Sequence, residues 1–195
     1  MKVLAKWLLV CLFGTLLVLG CHRTKPLPEL SAVPSFVLTD QAGKSFTSDS
    51  MRGAVWGAAF IFTRCPSACP RVTKAMRGVQ LDAKHRGVPL RLASFSVDPD
   101  NDTPEVLRHY AAEYGADTST WTFVTGDAAA LRKTAEQGFK IAAEGTADPS
   151  KADFGIMHGT QLVLVDDAGK IRGYYATNDE QALRQIVTDA ATLSP

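Results

Sequence analysis

One stretch constrains this chain more than any other: Phe60-Ile61-Phe62-Thr63-Arg64-Cys65-Pro66-Ser67-Ala68-Cys69-Pro70. Residues 54–62 are an almost unbroken apolar run, the pattern of a central strand buried on both faces. Two cysteines separated by three residues follow, and Pro70 then opens a segment with helical period. Proline at the first helical position loses nothing, because its N–H would have no partner there. The cysteines are therefore expected on a strand-to-helix turn. A helix N-terminus offers free N–H groups and a positive dipole end, and both favour thiolate over thiol. A dithiol so placed suits redox chemistry or a soft metal. The other reading is a pair of inert packed cysteines or one structural disulfide, but such a turn is a poor place to hide inert sulfur.

The chain has 195 residues, 46% hydrophobic and 21% charged, which fits one domain with a sizeable core. Its formal net charge of +1 includes Lys2 and Lys6, near the N-terminus. A near-neutral balance gives no electrostatic case for a nucleic-acid partner. Of four cysteines, Cys11 and Cys21 lie in or beside a targeting segment. One pair is left, which makes a site rather than a disulfide scaffold.

The N-terminus reads as an address. Behind Lys2 and Lys6, residues 7–20 form an apolar run of 14, shorter than the roughly 20 residues needed to span a bilayer and fitting for a secretory signal. It ends Val18-Leu19-Gly20-Cys21, which resembles a bacterial lipobox. In such signals the cysteine is lipid-modified and becomes the first residue of the mature protein. The alternative is an uncleaved anchor helix over residues 3–20, and either reading tethers the domain to a membrane on its exported side. The expected division is a lipoprotein signal at 1–20, a Pro-containing tether at 21–34 and a domain at 35–195. His22 follows Cys21 and is expected to be an exposed tether residue.

Within the domain, residues 35–39 and 45–47 read as an N-terminal hairpin across Asp40-Gln41-Ala42-Gly43-Lys44. The buried strand and the cysteines follow. Val72, Met76, Val79 and Ala83 recur at helical spacing, and Gly87 closes that helix. Residues 90–97 form the next strand. Asp102 and Thr103 before Pro104 mark a capped helix start running to about Tyr114. A strand at 121–125, a helix at 127–137, an irregular excursion at 141–154, a hairpin of 161–165 with 170–175 and a closing helix at 179–192 complete the chain. This order predicts an α/β, thioredoxin-like fold with an N-terminal β-hairpin and a central sheet flanked by helices.

Two chemistries compete for the cysteine pair. Disulfide oxidoreductases of this fold mostly carry Cys-x-x-Cys and a proline before the facing strand. Here the spacing is one residue longer, and the corresponding approach, Gly155-Ile156-Met157-His158-Gly159-Thr160, contains no proline. It offers His158 instead. Two thiolates and one imidazole suit copper, the sulfurs for Cu(I) and the imidazole for Cu(II), whereas structural zinc wants a fourth protein ligand. His85 and His109 are expected on helix surfaces. Met157 is a candidate soft ligand but reads more simply as core, and Asp153 is a candidate partner for His158. Asp98, Asp100 and Asp102 read as turn residues plus a helix cap. A thiol–disulfide oxidoreductase or redox sensor without a metal stays open, as does a peroxide-reducing relative.

Three motifs together resemble the Sco/SenC family of copper chaperones: Thr63-Arg64-Cys65-Pro66-Ser67-Ala68-Cys69-Pro70, then Ser96-Val97-Asp98-Pro99-Asp100-Asn101-Asp102-Thr103-Pro104-Glu105-Val106-Leu107, then Asp153-Phe154-Gly155-Ile156-Met157-His158. The resemblance implies Cys65, Cys69 and His158 as ligands of one copper ion per chain. It implies work in delivering copper to, or reducing the cysteines of, the binuclear copper site of cytochrome c oxidase, with subunit II as acceptor. The family often has an acidic residue where this chain has Ser67. A site that hands its ion on is expected at the domain surface, and a Cys65–Cys69 disulfide would release the metal. The resulting expectation is a membrane-anchored bacterial lipoprotein on the periplasmic face, held through Cys21.

Overall fold

The computed structural model describes residues 26–141, 143–144 and 157–194. Signal segment 1–20, Cys21, His22, Asp153 and most of the 141–154 excursion lie outside them. In chain order the elements are β1 (Ser31–Ala32), β2 (Val37–Asp40), β3 (Ser45–Thr47), β4 (Val55–Ile61), α1 (Ala68–His85), β5 (Leu90–Ser96), α2 (Pro104–Glu113), β6 (Trp121–Thr125), α3 (Ala128–Lys133), β7 (Ala143–Glu144), β8 (Met157–His158), β9 (Gln161–Val165), β10 (Lys170–Ala176) and α4 (Glu180–Leu193). Eight strands form one sheet in the order β1-β10-β9-β4-β5-β6-β2-β3. The fold is thioredoxin-like, with β2 and β3 as the expected hairpin.

β4 explains the apolar run. Every residue of it is buried, and its side chains alternate between two cores. Val55, Ala59 and Ile61 join the layer under α1 and α4 with Val72, Met76 and Ile186. Trp56, Ala58 and Phe60 join the opposite layer with Phe95 and Phe139. A strand covered on both faces has no polar side, so its sequence shows no alternation. Phe60 stacks on Phe95 with ring centroids 5.3 Å apart, and Phe139 meets both rings edge-on or tilted. Helix α1 buries Val72, Met76, Val79 and Ala83 as their spacing predicts. It ends at His85, and Gly87 just past the cap has a φ of 66°, a conformation that glycine adopts without strain.

Three local features differ from the sequence reading. The 127–137 helix is regular only to Lys133 and closes in a π-turn at Thr134–Gly138. The start of the 141–154 excursion is strand β7, paired antiparallel with β8 through Ala143 opposite His158 and Glu144 opposite Met157. The third concerns the tether. Residues 27–33, expected as part of the tether, are docked on the sheet edge: Ser31 pairs with Ile171 and Ala32 with Lys170. Leu27 packs on the core. Arg172 holds the carbonyls of Leu27 and Pro28 at 2.6 and 2.9 Å while pairing with Asp166 at 2.7 Å. The prolines at 26, 28 and 34 suggest a linker, but all three lie outside β1, where their missing N–H takes nothing from the ladder.

Candidate functional site

β4 and β5 run parallel with Ile61 opposite Ser96, so the turn leaving β4 lies beside the loop leaving β5. The first of these carries both cysteines, as the sequence predicts. Helix α1 begins at Ala68, two residues before Pro70. Pro70 is thus the third helical residue, still within the first turn, whose N–H groups need no helical partner. The earlier start places Cys69 inside the helix and leaves Cys65 in the turn before it. Ser67, at the cap position, makes no side-chain cap bond. The sulfur of Cys65 accepts the Cys69 N–H instead, at 3.4 Å.

No disulfide joins the two cysteines, and each lies within reach of the other's hydrogen bonding. Neither sits on the open surface that the sequence led one to expect: Cys65 is 7% exposed and Cys69 not at all. The two thiols also differ, against the expectation that both lean to thiolate. Burial pushes Cys65 up, but the N–H groups of Cys69, Ser67 and Ala68 outweigh it and leave the thiol below its ordinary value. Burial drives Cys69 far up, the Phe62 N–H opposes this, and the charges of Cys65 and Asp102 add to it. The dipole end of the helix reaches the cysteine that faces it, and desolvation governs the other.

The N–H of Phe62 donates to the Cys69 sulfur at 3.3 Å, and its carbonyl accepts from the N–H of Cys65 at 3.3 Å. One peptide residue thus touches both cysteines. Behind it lie residues that the sequence reading assigned elsewhere. Asp102 does not cap α2; Thr103 does, accepting from Val106 N–H at 3.3 Å. The Asp102 carboxylate is fully buried and accepts from the Thr63 hydroxyl at 2.5 Å, the Thr63 N–H at 3.2 Å and the Ser96 hydroxyl at 2.6 Å. Asp98 is also buried and pairs with Arg64 at 2.9 Å, while Asn101 donates to it at 2.8 Å. A signal was available in the sequence. Thr63-Arg64 and Ser96 are polar residues at the ends of two adjacent buried strands, and buried polar groups need partners.

His85 is exposed at the end of α1. His109 is exposed on α2 beside Glu105, at 3.7 Å. Neither joins the cysteines. His158 is placed by its backbone alone, in β8. Among the described residues no three histidine, cysteine or acidic side chains gather into a metal cluster, so the described part of the site is the two thiols. As a donor set they fit a soft ion: two adjacent sulfurs in apolar surroundings, with the nearest carboxylate engaged by Thr63 and Ser96.

Fold and turn together define a thioredoxin-like dithiol domain. The SCO1/SenC family profile matches residues 25–192, and the chain belongs to that family. A SCO1/SenC family lipoprotein from Bacillus anthracis is 31% identical, with 85% of this chain and 96% of that one covered at a TM-score of 0.77. BsSco, a member of the Sco family of cytochrome c oxidase assembly proteins in which a disulfide switch has been identified, is 30% identical. There the coverage is 89% of this chain and 98% of that one, and the TM-score is again 0.77. Bradyrhizobium japonicum ScoI, known with copper bound, shares the fold at a TM-score of 0.65 and 23% identity, over 84% of this chain and 99% of its own.

Proposed function

We propose that this chain is a membrane-anchored copper chaperone. In this reading Cys65, Cys69 and His158 hold one copper ion, and the acceptor is the binuclear copper site of cytochrome c oxidase, on subunit II. The observation that carries the reading is the pair of neighbouring cysteines at a helix start in a Sco-family domain. Copper is the cargo. The acceptor's thiols replace Cys65 and Cys69 by ligand exchange, which proceeds without oxidation of any group. A disulfide oxidant such as oxidised glutathione takes two electrons from the copper-bound thiolate pair and leaves as two thiolates; the Cys65–Cys69 disulfide that forms removes both ligands and releases the ion. Anchoring through a lipid on Cys21 is supported by the lipobox-like ending of the apolar run and by the lipoprotein among the relatives. It places the domain on the periplasmic face.

A second reading, thiol–disulfide exchange on the acceptor's cysteines, is favoured by the inequality of the two thiols. One leans to thiolate and attacks; the other stays protonated until it resolves the mixed disulfide. Cu(I) titration against a competing chelator, for the reduced protein and for Cys65→Ser and Cys69→Ser, separates the two. The chaperone reading expects one ion per chain and a loss of at least a hundredfold in affinity in each variant. Absence of tight Cu(I) binding together with rapid disulfide exchange would replace it with the reductase reading.

A further inference from the structure

We propose that Asp102 is a positioning residue for the dithiol, acting through Thr63 on the two peptide groups that flank the Phe62 Cα, one facing each cysteine. Thr63 is the pivot of the turn. On one side is Phe62, whose N–H points at the Cys69 sulfur and whose carbonyl takes the Cys65 N–H. On the other side are Arg64 and Cys65. Thr63 is held twice by one carboxylate, through its N–H and its hydroxyl. That carboxylate is fixed to β5 by Ser96, and Ser96 in turn accepts the Asp98 N–H at 3.0 Å. The Phe62 and Thr63 amides are neighbours, one committed to sulfur and one to carboxylate. The Thr63 N–H and the Phe62 carbonyl share one peptide plane, so the carboxylate that holds the first also fixes the acceptor of the Cys65 N–H, and the Phe62 N–H facing Cys69 lies in the adjoining plane across one Cα.

The chemistry of the brace calls for a carboxylate. All three groups facing Asp102 are donors, and an ionised carboxylate is an acceptor at both oxygens. Asparagine of the same size would turn an NH2 group toward Thr63 or Ser96, whose hydroxyl must then reverse to accept it and give up its own bond to the side chain. Burying a charge is costly, and burial does raise the pKa of Asp102. Helix capping does not account for the residue, since Thr103 performs it. The brace belongs to the dithiol form, in which the Cys69 sulfur accepts the Phe62 N–H. Loosening it destabilises that form relative to the disulfide.

This inference rests on the reading of Cys65 and Cys69 as a working dithiol, and its test separates the two. The full chain in detergent is equilibrated in glutathione buffers. Oxidised glutathione takes the two electrons and two protons released as the Cys65–Cys69 disulfide forms, giving two reduced glutathiones. Thr63→Val removes the hydroxyl at constant shape and keeps the Asp102 charge; Asp102→Asn removes the charge at constant shape; Thr63→Ser restores the hydroxyl. Thr63→Val and Asp102→Asn are expected to shift the equilibrium toward the disulfide by about tenfold, about 30 mV for a two-electron couple. Thr63→Ser is expected to stay within twofold of wild type, and the dithiol form of Thr63→Val to lose more in Tm than its disulfide form. Equal Tm losses in both forms with shifts under threefold would make Asp102 structural only. A shift toward the dithiol would mean that its charge acts on Cys69 directly, and would equally overturn the inference. If Asp102→Asn does not fold, Thr63→Val decides. Wild-type protein that forms no disulfide would instead overturn the reading of the site.

Discussion

The sulfur of Cys65 accepts the backbone N–H of Cys69 at 3.4 Å, so one cysteine caps the helix that carries the other. The two thiols therefore titrate apart, Cys65 below its ordinary value and Cys69 above it. Alkylation of the reduced protein, followed by mass spectrometry, is expected to modify Cys65 first. Its rate should level off at a lower pH than that of an ordinary cysteine, with Cys69 protected until the fold opens. Equal rates at both positions would remove the asymmetry.

Copper loading should release protons in a pH-dependent count. Binding requires thiolates. Between the lowered pKa of Cys65 and the raised pKa of Cys69, Cys65 is already ionised and Cys69 still holds its proton. About one proton then leaves per Cu(I), and the affinity rises about tenfold per pH unit. Below the pKa of Cys65 the count from the thiols rises to about two, and the affinity falls more steeply as pH drops. Potentiometric or dye-based proton counting checks the slope; a count independent of pH would contradict the assignment.

The docked N-terminal strand should contribute to stability. A chain beginning at Ser35 loses the pairing of β1 with β10 and both carbonyls held by Arg172. Hydrogen bonds to a charged group contribute about 1.5–3 kcal/mol each, so a loss of at least about 2 kcal/mol is expected against a chain beginning at Pro26. Arg172→Ala leaves Asp166 buried without its cation, and breaking a buried pair costs about 3–5 kcal/mol. Urea unfolding of the three proteins measures both.

Histidine substitutions should sort by position. His85 and His109 are exposed on helices, so changing either to alanine is expected to leave Cu(I) affinity within twofold of wild type. Chelator competition reads this directly, and a tenfold loss in either would require a ligand set other than the proposed one.

Much of the architecture was legible in the sequence because burial writes a simple code. The 54–62 run announced a two-faced strand, and Val72, Met76, Val79 and Ala83 announced the helix packed on it. Local signals failed where long-range contacts decided. Prolines at 26, 28 and 34 looked like a linker until β10 supplied an edge to pair with. Asp102 beside Thr103-Pro104 looked like a cap, because the partners that claim it, Thr63 and Ser96, meet only through the parallel pairing of β4 and β5. The cysteines were found from local sequence, yet their inequality came from depth, which spacing does not encode. The helix start gave thiolate character to Cys65, and burial withheld it from Cys69.

The most direct test of the central claim is copper stoichiometry and absorption on the reduced domain from Pro26 onward, beside His158→Ala. The account predicts one copper per chain and, with Cu(II), a thiolate charge-transfer band that collapses in the variant. Cu(I) binding should fall less, since two sulfurs remain. A fully reduced wild-type domain that binds no copper, or a variant whose Cu(II) band is unchanged, would contradict it.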